Sequence, residues 1–195
     1  MTAAAATILV VDDNRPIADT YAAFVGDEHE VRTAYGGEEA LAELDATVDV
    51  VLLDRRMPDR SGDEVLAEIE ARALDPRVVM VTAVDPEFDI VDMPFDEYVV
   101  KPVQRDDIVT VVEEMLQRAE YDDDFRQFLA LASKKATLER ERDGAALARS
   151  DEYEQIERRL AERRAAIGVE TDDLEAVMRG DAPDIAESGS RSSGK

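Results

Sequence analysis

The 195-residue chain has no cysteine, a single histidine and only four lysines. Without cysteine there are no disulfides and no thiolate metal sites, and redox compartment cannot be read. The lone His29 excludes a His-rich metal centre; it lies in the polar stretch 26–30 and reads as an exposed turn residue. Positive charge is scarce as well. Residues 1–119 carry 28 acids against 10 bases, residues 120–195 carry 19 against 13, and the net charge is -24. Such a field repels nucleic acid and anionic membrane surfaces, so direct charge-driven DNA contact and membrane association are not expected. No apolar run approaches the roughly 20 residues of a membrane span, and MTAAAATILVV lacks the positive leader of a signal peptide. A soluble cytoplasmic protein is expected. The bases that do occur are mostly arginine, and 45% of residues are hydrophobic. An acid-rich, lysine-poor surface around an ordinary core fits a high-salt cytoplasm, where ions screen self-repulsion.

Five short apolar runs alternate with amphipathic ones. TILVV (7–11) reads as a first buried strand, ending on Asp12, Asp13 and Asn14. Pro16 then suits a first helical turn, with Ile17, Tyr21, Phe24 and Val25 at helical spacing and Gly26 as the C-terminal cap. Residues 30–34 form a shorter, more polar strand nearer the sheet edge, and 38–44 a second helix. Residues 48–53 are a third strand ending on Asp54, and 62–74 a helix with Val65, Leu66 and Ile69 inward. RVVMV (77–81) is a fourth strand ending on Thr82, EYVV (97–100) a fifth ending on Lys101 and Pro102, and 106–116 a helix. Segment 84–96, with Pro86 and Pro94, has room for a short helix around 87–91 at most. Continuously apolar strands are those covered on both faces. The alternation predicts an α/β fold, a five-stranded parallel, doubly wound sheet.

In that architecture the ends of strands one, three, four and five share one edge, the edge at which open α/β sheets bind ligands. Asp54 alone reads best as a solvated strand end. With Asp12, Asp13, Thr82 and Lys101 beside it, the reading changes. Three carboxylates in one crevice repel one another unless a cation is present. Mg²⁺ takes one or two carboxylates and keeps positions for phosphate oxygens. Lys101 offers a point charge to a phosphate and Thr82 a hydroxyl. The set points to metal-assisted phosphoryl transfer onto a carboxylate nucleophile.

On these motifs, residues 7–118 resemble the receiver domain of two-component response regulators, which is flavodoxin-like. They are Asp12-Asp13 after the first strand, Asp54 in LLDRRMP with Gly62 eight residues on, Val81-Thr82-Ala83, and Tyr98-Val99-Val100-Lys101-Pro102. The resemblance implies that Asp54 is the phosphoacceptor. It implies that Asp13, Asp54 and the backbone carbonyl of Arg56 ligate Mg²⁺ directly, with Asp12 acting mainly through water. Thr82 and Lys101 would stabilise the phosphoryl group, Tyr98 would be the rotameric switch, and the Lys101-Pro102 bond would be cis. A histidine kinase would be the partner. Two departures stand out. The 82–101 segment is short, on a face that many receivers use to dimerise. The Arg56 side chain, two after the acceptor, would overhang the acidic pocket.

After residue 119 the periodicity changes. Tyr121, Phe125, Phe128 and Ala132 follow three-four spacing, and Tyr153, Ile156, Leu160 and Ile167 form a second run, with Asp151 and Glu154 as a capping box. A helical hairpin and one long coiled-coil helix both fit. The stripe needs a partner, which could be itself, the receiver or another subunit in a homodimer. Lys134, Lys135, Arg140, Arg142 and Arg149, interleaved with acids, read as a solvated, salt-laced face. YDDDFRQFLALASKKATLE and SDEYEQIERRLAE are similar to the HalX domain of haloarchaeal regulators, which is often associated with transcriptional control. The division expected is a receiver over 1–118, a HalX-like helical domain over 119–179 and a disordered tail over 180–195. The function expected is a response regulator that is phosphorylated but is not otherwise an enzyme. Two alternatives remain. One is an interaction module independent of phosphorylation. The other is an aspartyl-phosphate phosphatase, which would need an acid where Arg56 stands.

Overall fold

The computed structural model describes residues 5–119, 121 and 123–167. Five strands form one parallel sheet in the order β2-β1-β3-β4-β5. They are β1 (Thr7–Val11), β2 (Glu30–Ala34), β3 (Val50–Leu53), β4 (Arg77–Thr82) and β5 (Glu97–Val100). Every residue of β1, β3 and β4 is buried, whereas β2, at the edge, is partly exposed along most of its length. That is the pattern required of inner strands covered by helices on both faces.

Helices α1 (Arg15–Val25) and α4 (Arg105–Arg118) cover one face. Their Ala18, Tyr21, Val25, Ile108, Val112 and Met115 pack on Ile8, Val10, Leu52 and Val79. Helices α2 (Gly37–Glu43) and α3 (Gly62–Ala71) lie on the other. The helix expected over 62–74 stops at Ala71, because Ala73 takes a left-handed φ of 53° that a helix cannot continue through. His29, expected to be an exposed turn residue, is half-buried and accepts a hydrogen bond from the Ala6 amide at 3.4 Å.

Between β4 and β5, where α/β alternation calls for a full helix, only a 3-10 helix forms, Phe88–Asp92. The tail occupies the sheet surface this leaves. Helix α5 (Asp123–Glu141), the short α6 (Gly144–Leu147) and α7 (Asp151–Ile167) make a hairpin. The two long helices are antiparallel: Arg163 of α7 pairs with Asp124 at the start of α5, while Tyr153 bonds Glu139 near its end. The hairpin's Leu131, Leu138 and Ile156 are in one continuous core with Leu66, Met80, Ile90, Phe95 and Tyr98. The apolar stripe therefore finds its partners in the receiver and in itself. Helix α7 is capped by Ser150, whose hydroxyl accepts from the Tyr153 amide, rather than by Asp151. The expectation for 180–195 falls outside the described residues.

Candidate functional site

The parallel register brings the predicted residues to one edge. Val11 faces Leu53, so Asp12 and Asp54 leave the sheet side by side; Thr82 faces Val100, so Lys101 follows beside it. The backbone carries this pairing one step past the strands, with the Asp54 amide bonded to the Val11 carbonyl at 2.9 Å and the Lys101 amide to the Thr82 carbonyl at 2.8 Å.

The loop after Asp54 is fixed by local chemistry. Ser61 and Glu64 form a reciprocal capping box at the start of α3, which satisfies amides the helix leaves unpaired. Asp59 reaches across to the amides of Gly37 and Glu38 at the start of α2. Gly62 packs directly under Asp54: a Cβ there would lie 2.5 Å from the Asp54 carbonyl oxygen. Only glycine allows that approach.

Asp12 and Asp54 are 2% and 9% exposed, and Asp13 is exposed. One carboxylate oxygen from each lies within 4.8 Å of the others. The Lys101 ammonium, just past the end of β5, is 2.6 Å from Asp12 Oδ2 and 3.2 Å from Asp54 Oδ2. Asp12 Oδ1 accepts from the Asn14 amide. Asp54 Oδ1, in contrast, is buried with no partner. A buried acceptor without a donor is costly, and its carboxylate belongs to a cluster of hard oxygen ligands of the kind Mg²⁺ prefers. The donor set fits a divalent cation. Burial raises the Asp12 carboxyl above the ordinary range, against the lowering effects of Lys101 and Asn14. Burial works against the Lys101 charge, but the contacts with Asp12 and Asp54 outweigh it and hold the ammonium protonated above its usual range.

Thr82 is 1% exposed at the end of β4, and its hydroxyl oxygen accepts from the Val84 amide at 3.3 Å. Tyr98 is turned into the core, 1% exposed, and its hydroxyl donates to the Val84 carbonyl at 2.8 Å. The Lys101-Pro102 peptide bond is cis. Arg56 does not overhang the pocket through any bond: its side chain is exposed and has no hydrogen-bond or ion-pair partner among the described residues.

A protein-family model described as the response regulator receiver domain matches residues 8–113. The chain belongs to the response regulator receiver family. A second model, the HalX domain, matches residues 117–181 and so follows the receiver. A Haloferax volcanii protein whose name describes a transcriptional regulator is 51% identical over 170 residues, covering 85% of this chain and 29% of that protein. The sensory transduction protein RegX3 of Mycobacterium tuberculosis is 37% identical over 122 residues, 60% of this chain and 53% of that protein. The chain thus spans about half or less of these curated relatives. The solved CheY-like receiver of Methanospirillum hungatei matches with a TM-score of 0.56 at 27% identity, covering 60% of this chain and 98% of that one.

Two residues of this receiver and its tail escaped the sequence reading. Arg55, the neighbour of Asp54, and not Arg56, is the arginine that is engaged. Its guanidinium grips Asp63 of α3 through Nε at 3.0 Å and Nη2 at 3.2 Å, and also pairs with Asp89 of the 3-10 helix. Burial opposes its charge, but the two carboxylates outweigh it and move the group upward. Lys134, expected on a solvated face, is 6% exposed. It donates to the Met93 and Val91 carbonyls and lies 4.7 Å over the Phe95 ring. An arginine pair and a basic run are visible in the sequence, but which member turns inward depends on where segment 84–96 passes.

Proposed function

We propose that this chain is the phosphoacceptor of a two-component phosphorelay, taking a phosphoryl group on Asp54 from the phosphohistidine of a histidine kinase. The observation that carries this reading is the asymmetry of the Asp54 carboxylate: Oδ2 is held by Lys101 while Oδ1 is buried and unpartnered. In the transfer a carboxylate oxygen of Asp54 forms the new P–O bond as the P–N bond to the donor histidine breaks. Lys101 neutralises charge on the phosphoryl oxygens, and the Thr82 hydroxyl donates to one of them. Asp13, Asp54 and the Arg56 backbone carbonyl would hold Mg²⁺, with Asp12 acting mainly through water. When bound, the ion supplies charge neutralisation at the phosphoryl oxygens.

Tyr98 is the switch in this reading. Its hydroxyl contacts the carbonyl two residues past Thr82, so a shift of Thr82 toward the phosphoryl group acts on the segment that carries the tyrosine's partner. The acyl phosphate biases two conformations of the receiver by its differential contacts, and the HalX hairpin carries the result to an output. The name of the Haloferax relative supports transcriptional control as that output. Charge of -24 makes direct DNA binding by backbone electrostatics an unfavourable route. No helix among the described residues is long and apolar enough to cross a membrane. Action in a high-salt cytoplasm is part of this reading and rests on the acid-rich, lysine-poor composition. The chain turns over no separate substrate: its chemistry is its own phosphorylation and dephosphorylation. Position 56, where an aspartyl-phosphate phosphatase would need its second acid, holds arginine.

Incubation with acetyl phosphate and Mg²⁺ followed by intact-mass measurement tests the proposal. The expected result is one phosphoryl increment that is lost in Asp54→Asn and on chelation of the metal. No increment in the wild-type chain would favour the phosphorylation-independent module.

A further inference from the structure

We propose that Arg55 is a positioning residue that makes the phosphoacceptor loop and the tail's docking platform a single unit. The loop following Asp54 is tied toward α2 by Asp59 and toward the 3-10 segment by the Arg55 guanidinium, whose side chain is only 11% exposed. Two of its nitrogens fork onto both oxygens of Asp63, which fixes the guanidinium relative to α3. Nη2 also engages Asp89, the second residue of the 3-10 helix. A lysine ammonium has no planar fork with which to hold both oxygens of Asp63 while engaging Asp89.

The same short 3-10 segment is where the tail attaches. Lys134 of α5 donates to the Val91 and Met93 carbonyls at its far end. Arg142, just after α5, donates to the Pro86 carbonyl at 2.9 Å before its start. Arg159 of α7 pairs with Asp92 at 2.9 Å. Beneath, Ile90 and Val91 share a core with Leu131, Leu138 and Ile156 of the hairpin. Residues 86–93 are thus held on one side by the residue next to the phosphoacceptor and on the other by three cations of the tail. In place of a full helix there are five residues of 3-10 structure, with few hydrogen bonds of their own to resist being pulled. Arg55 therefore sets the position of the platform, and the platform sets the position of the hairpin. With phosphorylation at Asp54, a reading this inference rests on for its signal though not for its clamp, the same path runs from the acyl phosphate to α5.

Amide hydrogen exchange on the full chain tests the clamp in two arms. Without phosphodonor, Arg55→Gln and Asp89→Asn should each speed exchange in 88–92 and in α5 by at least about five-fold, and the double variant should add little to either, as residues acting through one contact do. Unchanged exchange in α5, or fully additive effects, would overturn the clamp. With acetyl phosphate and Mg²⁺, wild-type α5 should change its exchange rate. Arg55→Gln should still form the acyl phosphate within about three-fold of the wild-type rate yet leave α5 unmoved. A variant that transmits the change as wild type does overturns the proposed path. A wild-type chain that takes no phosphoryl group overturns the receiver chemistry instead, and the first arm still decides the clamp.

Discussion

Two lysines among the described residues are drawn away from solvent, Lys134 buried and Lys101 half-buried, and their settings differ. Lys101, at the carboxyl edge of the sheet, lies between the carboxylates of Asp12 and Asp54. Lys134, at the seam between receiver and hairpin, is 6% exposed and has carbonyl oxygens and an aromatic face for neighbours, with no carboxylate of the described residues within salt-bridge distance. The first is raised above its usual range because the two acids outweigh burial. The second is lowered to about 8, by burial first and by the nearby Arg159 guanidinium second, against weaker opposition from Asp96 and Asp92. Under the proposed function, the charge that serves chemistry is held by opposite charge, which a phosphoryl group would compete for. A charge that serves assembly is held by dipoles, which satisfy its donors without cancelling it.

Removing Lys101 should produce the larger effect. Lys101→Met leaves Asp12 and Asp54 buried together without a cation, and stripping one partner from such a pair typically costs about 3–5 kcal/mol. The wild-type protein should exceed the variant by a gap of that order in urea unfolding at pH 7. The gap should narrow toward pH 5, because the Asp12 carboxyl is already raised by burial and takes up a proton once its cation is gone. A gap independent of pH would mean that the ammonium acts there through packing of its stem rather than through its charge.

The difference in legibility follows the same line. Asp12, Asp54, Thr82 and Lys101 could be placed together from sequence because each ends an apolar run, and a parallel sheet puts all strand ends of one kind on one edge. The cis bond before Pro102 and the buried Tyr98 came with the motif around Lys101. Lys134 could not be read this way. Its neighbours in sequence alternate in charge as a solvated helix does, and its inward turn depends on a sheet surface left open by a helix that is only five residues of 3-10 structure. Two prolines flanking that segment told of an interruption, but not of what would fill it. Arg55 and Arg56 differ because Asp63 of α3 and Asp89 of the 3-10 helix both lie within reach of Arg55, and the second of these depends on the path of residues 88–92. Strand boundaries moved little, with the third strand starting at Val50 rather than two residues earlier, since loop and strand backbones grade into one another at such ends.

Lys134 sharpens the comparison through pH. Its folded-state value of about 8 is below that of the same lysine in water, near 10.4. Below pH 8 the ammonium is charged in both states and pH has no leverage. Between these values the docked state sheds the proton while the undocked state keeps it, so docking strengthens as pH rises, by up to about 1.4 kcal/mol per pH unit. Protection of α5 against exchange, corrected for intrinsic rate, should therefore increase from pH 8 to pH 10. Lys134→Met should remove that slope, although it leaves the Met93 and Val91 carbonyls without their donor. A slope that persists in the variant would assign the titration to another group.

The smallest effect is expected from Arg159, and its size follows from two opposed terms. The guanidinium makes a 2.9 Å ion pair with Asp92, but the two side chains are 44% and 77% exposed. Exposed pairs of this kind contribute about 0.2–1 kcal/mol and are screened by salt. The same guanidinium lowers the Lys134 ammonium by repulsion. Arg159→Ala loses a weak attraction and relieves a repulsion at a group far more deeply buried, where the field is less screened. At pH 7 hairpin docking should change by less than about 0.5 kcal/mol, and raising the salt should shrink even that. The pH window of Lys134 should nevertheless move upward, toward the value of an ordinary lysine. Stability and titration are thus expected to separate in one variant. A large loss of docking with no shift in the window would place Arg159 with Lys101, as a charge held by its partner, and not with the dipole-held seam.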